Sequence, residues 1–86
     1  MALTDLCLHN NRLTSVPAEL VQLQSLCNLD LSGNQLMSVP AEIGQLTSLR
    51  GLYLRDNELT TLPAAIRELR AAGCYVQLDD GVKFDE

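Results

Sequence analysis

The sequence predicts an α/β solenoid, a short right-handed horseshoe with a parallel sheet on its concave face and short helical segments on its convex face. Three segments align without a gap at a period of 23 residues: Leu3–Ser25, Leu26–Ser48 and Leu49–Ala71. Each segment has the pattern of a strand, a turn and a helical return, and each carries one apolar face that it cannot bury alone. Stacking the copies buries those faces.

Nine columns of like residues recur at this period, seven of them Leu, Ile or Val, one Asn and one Pro. Their first members are Leu3, Leu6, Leu8, Asn11, Leu13, Val16, Pro17, Leu20 and Leu23. A core built from these columns is aliphatic. This agrees with a composition that is 47% hydrophobic but only 3% aromatic.

The strand and the turn come first in each unit. In the middle unit, Leu29 and Leu31 show the period-two alternation that is typical of a short strand with one buried face. Asn34 follows where the chain must turn. Its amide can form hydrogen bonds with exposed backbone groups, so we expect this column to be structural.

The helical return follows the turn. Pro40 has a backbone angle suited to the first turn of a helix, and Glu42 lies where the positive end of the helix dipole favours an acid. Ile43 and Leu46 are three residues apart and therefore share one face of the segment. Each unit is predicted to return to the sheet through a short helix.

The strand and turn columns resemble the L-x-x-L-x-L-x-x-N-x-L pattern of the leucine-rich repeat family. The pattern occurs at Leu3–Leu13, Leu26–Leu36 and Leu49–Leu59. The Val-Pro or Leu-Pro that follows is similar to the intracellular subclass related to Ras-group leucine-rich repeat proteins. The resemblance implies the solenoid fold, relatives that often act as adaptors in signalling, and a ladder of amides bonding neighbouring backbones. The ladder residues are Asn11, Asn34 and Asn57.

The whole 86-residue chain is expected to form one domain, with residues 72–86 as a C-terminal cap. The repeat pattern is lost there, and Val76 and Leu78 extend the apolar ridges only if the strand register slips by one residue. Val82 and Phe84 alternate with polar residues, so we expect them to fold back over the exposed end of the core. An acidic disordered tail is the alternative.

The N-terminal end has no comparable segment before its first repeat. Solenoids need a polar cap at each end, because a terminal repeat otherwise exposes core and an unpaired strand edge. Two explanations follow: the chain is the C-terminal piece of a longer protein, or another copy of the chain covers this edge. The predicted oligomer edge is Leu3, Leu6, Leu8 and Leu13.

The charge pattern argues against a general nucleic-acid surface. The net charge is −5, and phosphate binding needs clustered basic residues. Four of the six basic residues lie in the third unit, which leaves a local anion contact open. Neither a secretory signal pattern nor an apolar run approaching ~20 residues occurs, so the sequence predicts a cytoplasmic protein without a membrane partner.

The three cysteines are expected to be reduced. In the repeat register Cys7 and Cys27 lie on adjacent strands but three positions apart, which places their Cα atoms about 11 Å from each other. A disulfide requires less than ~7 Å. Cys74 belongs to a later strand.

The concave sheet is the predicted partner-binding surface, because residues between the ridge leucines face the opposite way and no repeat constraint fixes them. Arg and Tyr are enriched at binding hot spots, so Tyr53 and Arg55, together with Asp30, are the first candidates. Solvated polar residues without a ligand are the alternative. The full predicted set is Asp5, Cys7, His9, Asn28, Asp30, Tyr53, Arg55 and Asp56.

Catalysis and metal binding are not expected. Cys7 and His9 share a strand face and could suggest a nucleophile with its base, or half a metal site. A zinc site has about four ligands. The nearest residues that could complete one, Asp5, Cys27 and Asp30, lie on an open sheet. Nothing in the sequence supplies an oxyanion donor or a shielded pocket. The sequence therefore predicts no enzyme, cofactor or metal.

Two functions remain. The first is a non-enzymatic module that binds a protein partner across the concave sheet. The second is a self-assembling structural unit that pairs through its N-terminal repeat. A repeat fold by itself does not identify the partner.

Overall fold

The computed structural model describes residues 3–84 and has the predicted architecture. Its strands and helix are short and follow one another around a solenoid. They are β1 (Asp5–Cys7), β2 (Asn28–Asp30), β3 (Gly51–Tyr53), β4 (Thr61–Leu62), α1 (Ala64–Ala71), β5 (Tyr75–Gln77) and β6 (Lys83–Phe84), with 3₁₀ helices at Ala18–Gln22 and Ala41–Gln45.

Two parallel sheets form. The main sheet has the order β1-β2-β3-β5, and β4 pairs with β6 in a second sheet of two strands. Parallel strands require a crossover between them, and the 3₁₀ helices and α1 provide those crossovers. The predicted α/β solenoid is confirmed.

The strand register follows the repeat. Leu6 pairs with Leu29 and Leu29 with Leu52, so the first two pairings keep the 23-residue offset. Leu52 then pairs with Val76, an offset of 24 from the residue numbers. This is the one-residue slip that Val76 and Leu78 need in order to extend the apolar ridges.

The core consists of the aligned aliphatic columns. The side chains that point inward from the two middle strands, Leu29 and Leu52, have no exposed surface. Those of the middle return, Ile43 and Leu46, are equally buried. The described core is completed by Val16, Leu20, Leu26, Leu31, Leu36, Val39, Leu49, Leu54, Leu59, Leu62, Ile66, Leu69, Cys74 and Val76.

The helical returns differ from the expectation in one detail. Pro17, Pro40 and Pro63 are the N-cap residues with extended ψ angles of 133°, 145° and 151°, not the first helical residues. The first two returns are five-residue 3₁₀ helices, whereas the third is the α-helix α1. The third segment is rich in Ala, Glu and Arg, which favour α-helix, and it lacks the glycine found in the second.

That glycine, Gly44, allows two returns to pack closely. A Cβ atom at this position would lie 2.7 Å from the Cβ of Ala65 in α1. Real Cβ atoms do not approach that closely. The second 3₁₀ helix and α1 can therefore lie this near each other only because residue 44 has no side chain.

Two members of the Asn column link their turns to the preceding repeat. Asn34 donates from Nδ2 to the carbonyls of Leu8 (3.0 Å) and Leu31 (2.9 Å), and its Oδ1 accepts from the N–H of Leu13 (3.2 Å). Asn57 makes the corresponding bonds one repeat later. The amide ladder implied by the family resemblance is present.

The C-terminal segment covers one end of the core. Gly73 ends α1 with a positive φ of 109°, a conformation that glycine adopts readily. Val82 and Phe84 pack against the core, and the Arg70 guanidinium carbon lies 5.9 Å from the Phe84 ring centroid. As a result, Val76 is only 4% exposed although β5 is an edge strand.

The N-terminal end is less covered. Leu6, Leu8 and Leu13 are half-buried, and Leu3 is 46% exposed. The predicted oligomer edge is therefore partly solvent-accessible in the single chain. Across residues 3–84, no helix has the length and apolar character needed to cross a membrane.

Candidate functional site

The candidate site lies on the outward side of the main sheet. Strands β1 to β3 direct their central leucines into the core, so the residues on either side of each leucine face outward. The register places Asp5 beside Asn28, Cys7 beside Asp30, and Asp30 beside Tyr53, as the repeat alignment predicted. The surface divides into two clusters.

The first cluster contains Cys7, His9 and Asp30. Their ligand-type atoms all lie within 4.8 Å of one another. Cys7 Sγ contacts His9 Nδ1, while Asp30 Oδ2 lies 3.8 Å from His9 Nδ1 and 4.0 Å from Cys7 Sγ. We call these three residues the thiol cluster.

Ser32 fixes the carboxylate of the thiol cluster. Asp30 Oδ1 accepts hydrogen bonds from the Ser32 N–H (3.0 Å) and hydroxyl (2.6 Å). Because Oδ1 is occupied by these donors, Oδ2 is directed at Cys7 and His9. Beside the cluster, the Asn28 amide donates to Asp5 Oδ1 at 2.6 Å and joins β1 to β2.

The second cluster is aromatic. The rings of Tyr53 and Tyr75 meet edge to face, with centroids 5.9 Å apart and planes inclined at 61°. Tyr75 is 58% exposed, while Tyr53 is half-buried. Gly51 makes room for this arrangement, because a Cβ there would lie 2.9 Å from the Tyr53 hydroxyl.

Charged groups border the aromatic pair. Arg55 Nε lies 3.8 Å from Asp79 Oδ1, and Asp79 Oδ2 accepts from the Asp56 N–H at 2.9 Å. Asp56 has a positive φ of 60°, and its backbone N–H is bound by Asp79 of the C-terminal cap. We call Tyr53, Tyr75, Arg55 and Asp79 the aromatic patch.

The structure separates the predicted set into these two groups. Cys7, His9 and Asp30 come together, and Tyr53 lies near Arg55. Sequence reasoning missed Tyr75 and Asp79, which belong to the last strand and the turn after it. Continuing the alignment with the one-residue slip would have placed Tyr75 opposite Gly51, as the structure does.

The three thiols occupy different environments. All are free: Cys7 is exposed, Cys27 is intermediate and Cys74 is buried. Burial raises the pKa of the Cys74 thiol, because desolvation disfavours the thiolate. Cys27 donates weakly to the Ser25 carbonyl at 3.5 Å and lies outside the thiol cluster.

The comparisons with known proteins agree with this fold. The leucine-rich repeat family model matches residues 2–59, which is more than half of the chain. A solved leucine-rich repeat protein of Leptospira interrogans superimposes with a TM-score of 0.81 at 37% sequence identity. The match covers 96% of this chain but 21% of that one, so this chain spans about a fifth of its length. No curated protein gave a significant match.

Proposed function

Because this chain belongs to the leucine-rich repeat family, we propose that it is a non-enzymatic module that binds a protein partner across its concave sheet. Domains of this family generally mediate protein–protein interactions. The partner and the binding face are the parts that we propose. We also place the module in the cytoplasm, which its three free thiols support.

The aromatic patch carries the proposal. Tyr and Arg are the residue types most enriched at binding hot spots, where large side chains with few torsions supply contact area at low entropic cost. Tyr75 is already largely exposed, and the edge-to-face pair presents both an apolar ring surface and hydroxyl groups. A partner that buries these rings would gain apolar contact and polar specificity together.

The charged side chains beside the aromatic pair would form a polar rim around such a contact. Arg55 is 54% exposed and Asp79 32% exposed at their side chains, so their 3.8 Å ion pair is accessible to a partner. Exposed pairs of this kind add little stability to the folded chain. Both side chains can therefore exchange partners at small cost.

We expect Tyr53→Ala and Arg55→Ala each to weaken partner binding at least tenfold, which corresponds to about 1.4 kcal/mol. Partners are captured by cross-linking in cells with the unmodified chain, and their affinities are then measured with purified proteins. Arg67→Ala is the matched control, because Arg67 is exposed on α1, away from the sheet. A partner whose affinity falls with Arg67→Ala and not with the sheet variants would refute concave-face binding.

Self-assembly is a second candidate function, favoured by the partly exposed leucines of the first repeat. Strand β1 pairs only with β2 among the described strands, and its free edge lies beside Leu3, Leu6 and Leu8. A second copy that covered this edge would pair its backbone groups and bury those side chains.

Light scattering over a concentration series tests this assembly. We expect a mass above that of one 9.4 kDa chain at high concentration, and Leu8→Lys should return it to the single-chain value. Met37→Lys is the control, because Met37 is 69% exposed and lies away from β1. A single-chain mass at every concentration, or equal dissociation by both variants, would exclude assembly through this edge.

A further inference from the structure

We propose that the thiol cluster binds one divalent transition-metal ion, such as Zn²⁺, through Cys7 Sγ, His9 Nδ1 and Asp30 Oδ2. The fourth position of a tetrahedral site would stay open to water or to a side chain from a partner. This proposal departs from the expectation of no metal drawn from the sequence. It is independent of the protein-binding function.

The donor atoms lie near the spacing of a metal site, and small side-chain rotations would bring them to it. Tetrahedral zinc with these ligands, bound at about 2.0–2.3 Å, has donor atoms roughly 3.3–3.6 Å apart. Asp30 Oδ2 lies 3.8 Å from His9 Nδ1 and 4.0 Å from Cys7 Sγ, slightly outside that spacing. Cys7 Sγ and His9 Nδ1 are in contact and must move apart. Since Cys7 and His9 are exposed, rotation about their side-chain bonds can make these adjustments.

The use of one histidine nitrogen toward both neighbours distinguishes this cluster from a nucleophilic triad. In a triad the imidazole uses one nitrogen toward the nucleophile and the other toward the acid. Here the same nitrogen, His9 Nδ1, faces both Cys7 Sγ and Asp30 Oδ2. The three donor atoms therefore lie around one location, which an ion can occupy once Cys7 Sγ and His9 Nδ1 separate.

The carboxylate is already oriented for coordination. The two hydrogen bonds from Ser32 hold Asp30 Oδ1 and leave Oδ2 facing the other donors. Outer hydrogen bonds of this kind orient metal ligands and lower the entropic cost of binding. Asp30 is also the least exposed of the three, since its side chain is 33% exposed against 49% for His9.

The donor chemistry favours one class of metal ion. A thiolate and an imidazole favour zinc, cobalt and copper over magnesium and calcium, which prefer oxygen ligands. The thiol loses its proton to solvent when its sulfur coordinates the ion. A thiolate, a carboxylate and a neutral imidazole then carry two negative charges, which balance a divalent cation.

Cobalt(II) titration of the full-length reduced chain tests the site, because Co²⁺ occupies zinc sites and reports thiolate coordination by a charge-transfer absorption. We expect a band that saturates at one Co²⁺ per chain and is displaced by Zn²⁺. Cys7→Ser should abolish the band. His9→Ala and Asp30→Asn should each weaken Co²⁺ binding at least tenfold.

Cys27→Ser is the matched control, since it removes a partly exposed thiol just before β2 without touching the cluster. It should leave the band and the affinity unchanged. Circular dichroism of each variant confirms folding, which these surface changes should preserve. Absence of the band in the unmodified chain would overturn the proposal. The same holds for retention of the band in Cys7→Ser, and for equal losses in Cys7→Ser and Cys27→Ser.

Discussion

Leu29→Ala is expected to lower the free energy of unfolding by about 2–5 kcal/mol, as large-to-small substitutions in protein cores do. Leu29 is the inward residue of β2 and is fully buried between Leu6 of β1 and Leu52 of β3. Removing its side chain leaves a cavity that the neighbouring repeats can close only by shifting their strands. Urea unfolding followed by circular dichroism measures the loss.

Leu6→Ala is the control for this measurement. Leu6 occupies the same column and the same place in its strand, but it is only half-buried because no described repeat precedes it. We expect a clearly smaller loss than for Leu29→Ala at low protein concentration. Equal losses for Leu6→Ala and Leu29→Ala at all concentrations would contradict the lower burial of the N-terminal end of the solenoid. A Leu6→Ala loss that grows with concentration would support assembly through β1.

Asn34→Ala is expected to lower the free energy of unfolding by about 1–3 kcal/mol, because it removes the hydrogen bonds of a buried amide and leaves the Leu13 N–H without its acceptor. Asn34 is 6% exposed and serves the carbonyls of Leu8 and Leu31 and the N–H of Leu13. These bonds join the first repeat to the second, so the loss should appear as a lower melting temperature.

Asn11→Ala provides the comparison for the ladder. Asn11 is exposed and bonds only within its own turn, to the carbonyls of Leu8 and His9. The Leu8 carbonyl keeps its second donor, Asn34, in this variant. We therefore expect a smaller loss than for Asn34→Ala. An unchanged melting temperature for Asn34→Ala would contradict a structural role for the column.

The two clusters of the concave sheet are separable by experiment. Tyr53→Ala changes the aromatic patch and leaves the donor atoms of the thiol cluster in place, whereas Cys7→Ser does the reverse. One variant can therefore lose protein binding while the other loses cobalt binding. A partner that contributes the fourth ligand would couple them, and its affinity would then depend on Zn²⁺.

Sequence alone determined the solenoid and most of its register. A gapless period of 23 residues leaves few ways to bury the repeated leucines, and parallel stacking of equivalent positions is the arrangement that buries all columns together. The neighbours Cys7, Asp30 and Tyr53 followed directly from that alignment. The turn role of Asn34 followed as well, because a recurrent amide after a short strand has few other uses.

The tertiary structure alone decided the contacts beyond the last repeat and the orientation of individual side chains. The slip at Val76 moves Tyr75 opposite Gly51 and creates the aromatic patch, which depends on how the last strand docks against β3. The direction of the Asp30 carboxylate depends on Ser32, and the close contact of Gly44 with Ala65 depends on the packing of two returns. Periodicity fixes which residues are neighbours. Side-chain orientation and non-repeating contacts depend on the packing of the whole chain, so they became visible only in three dimensions.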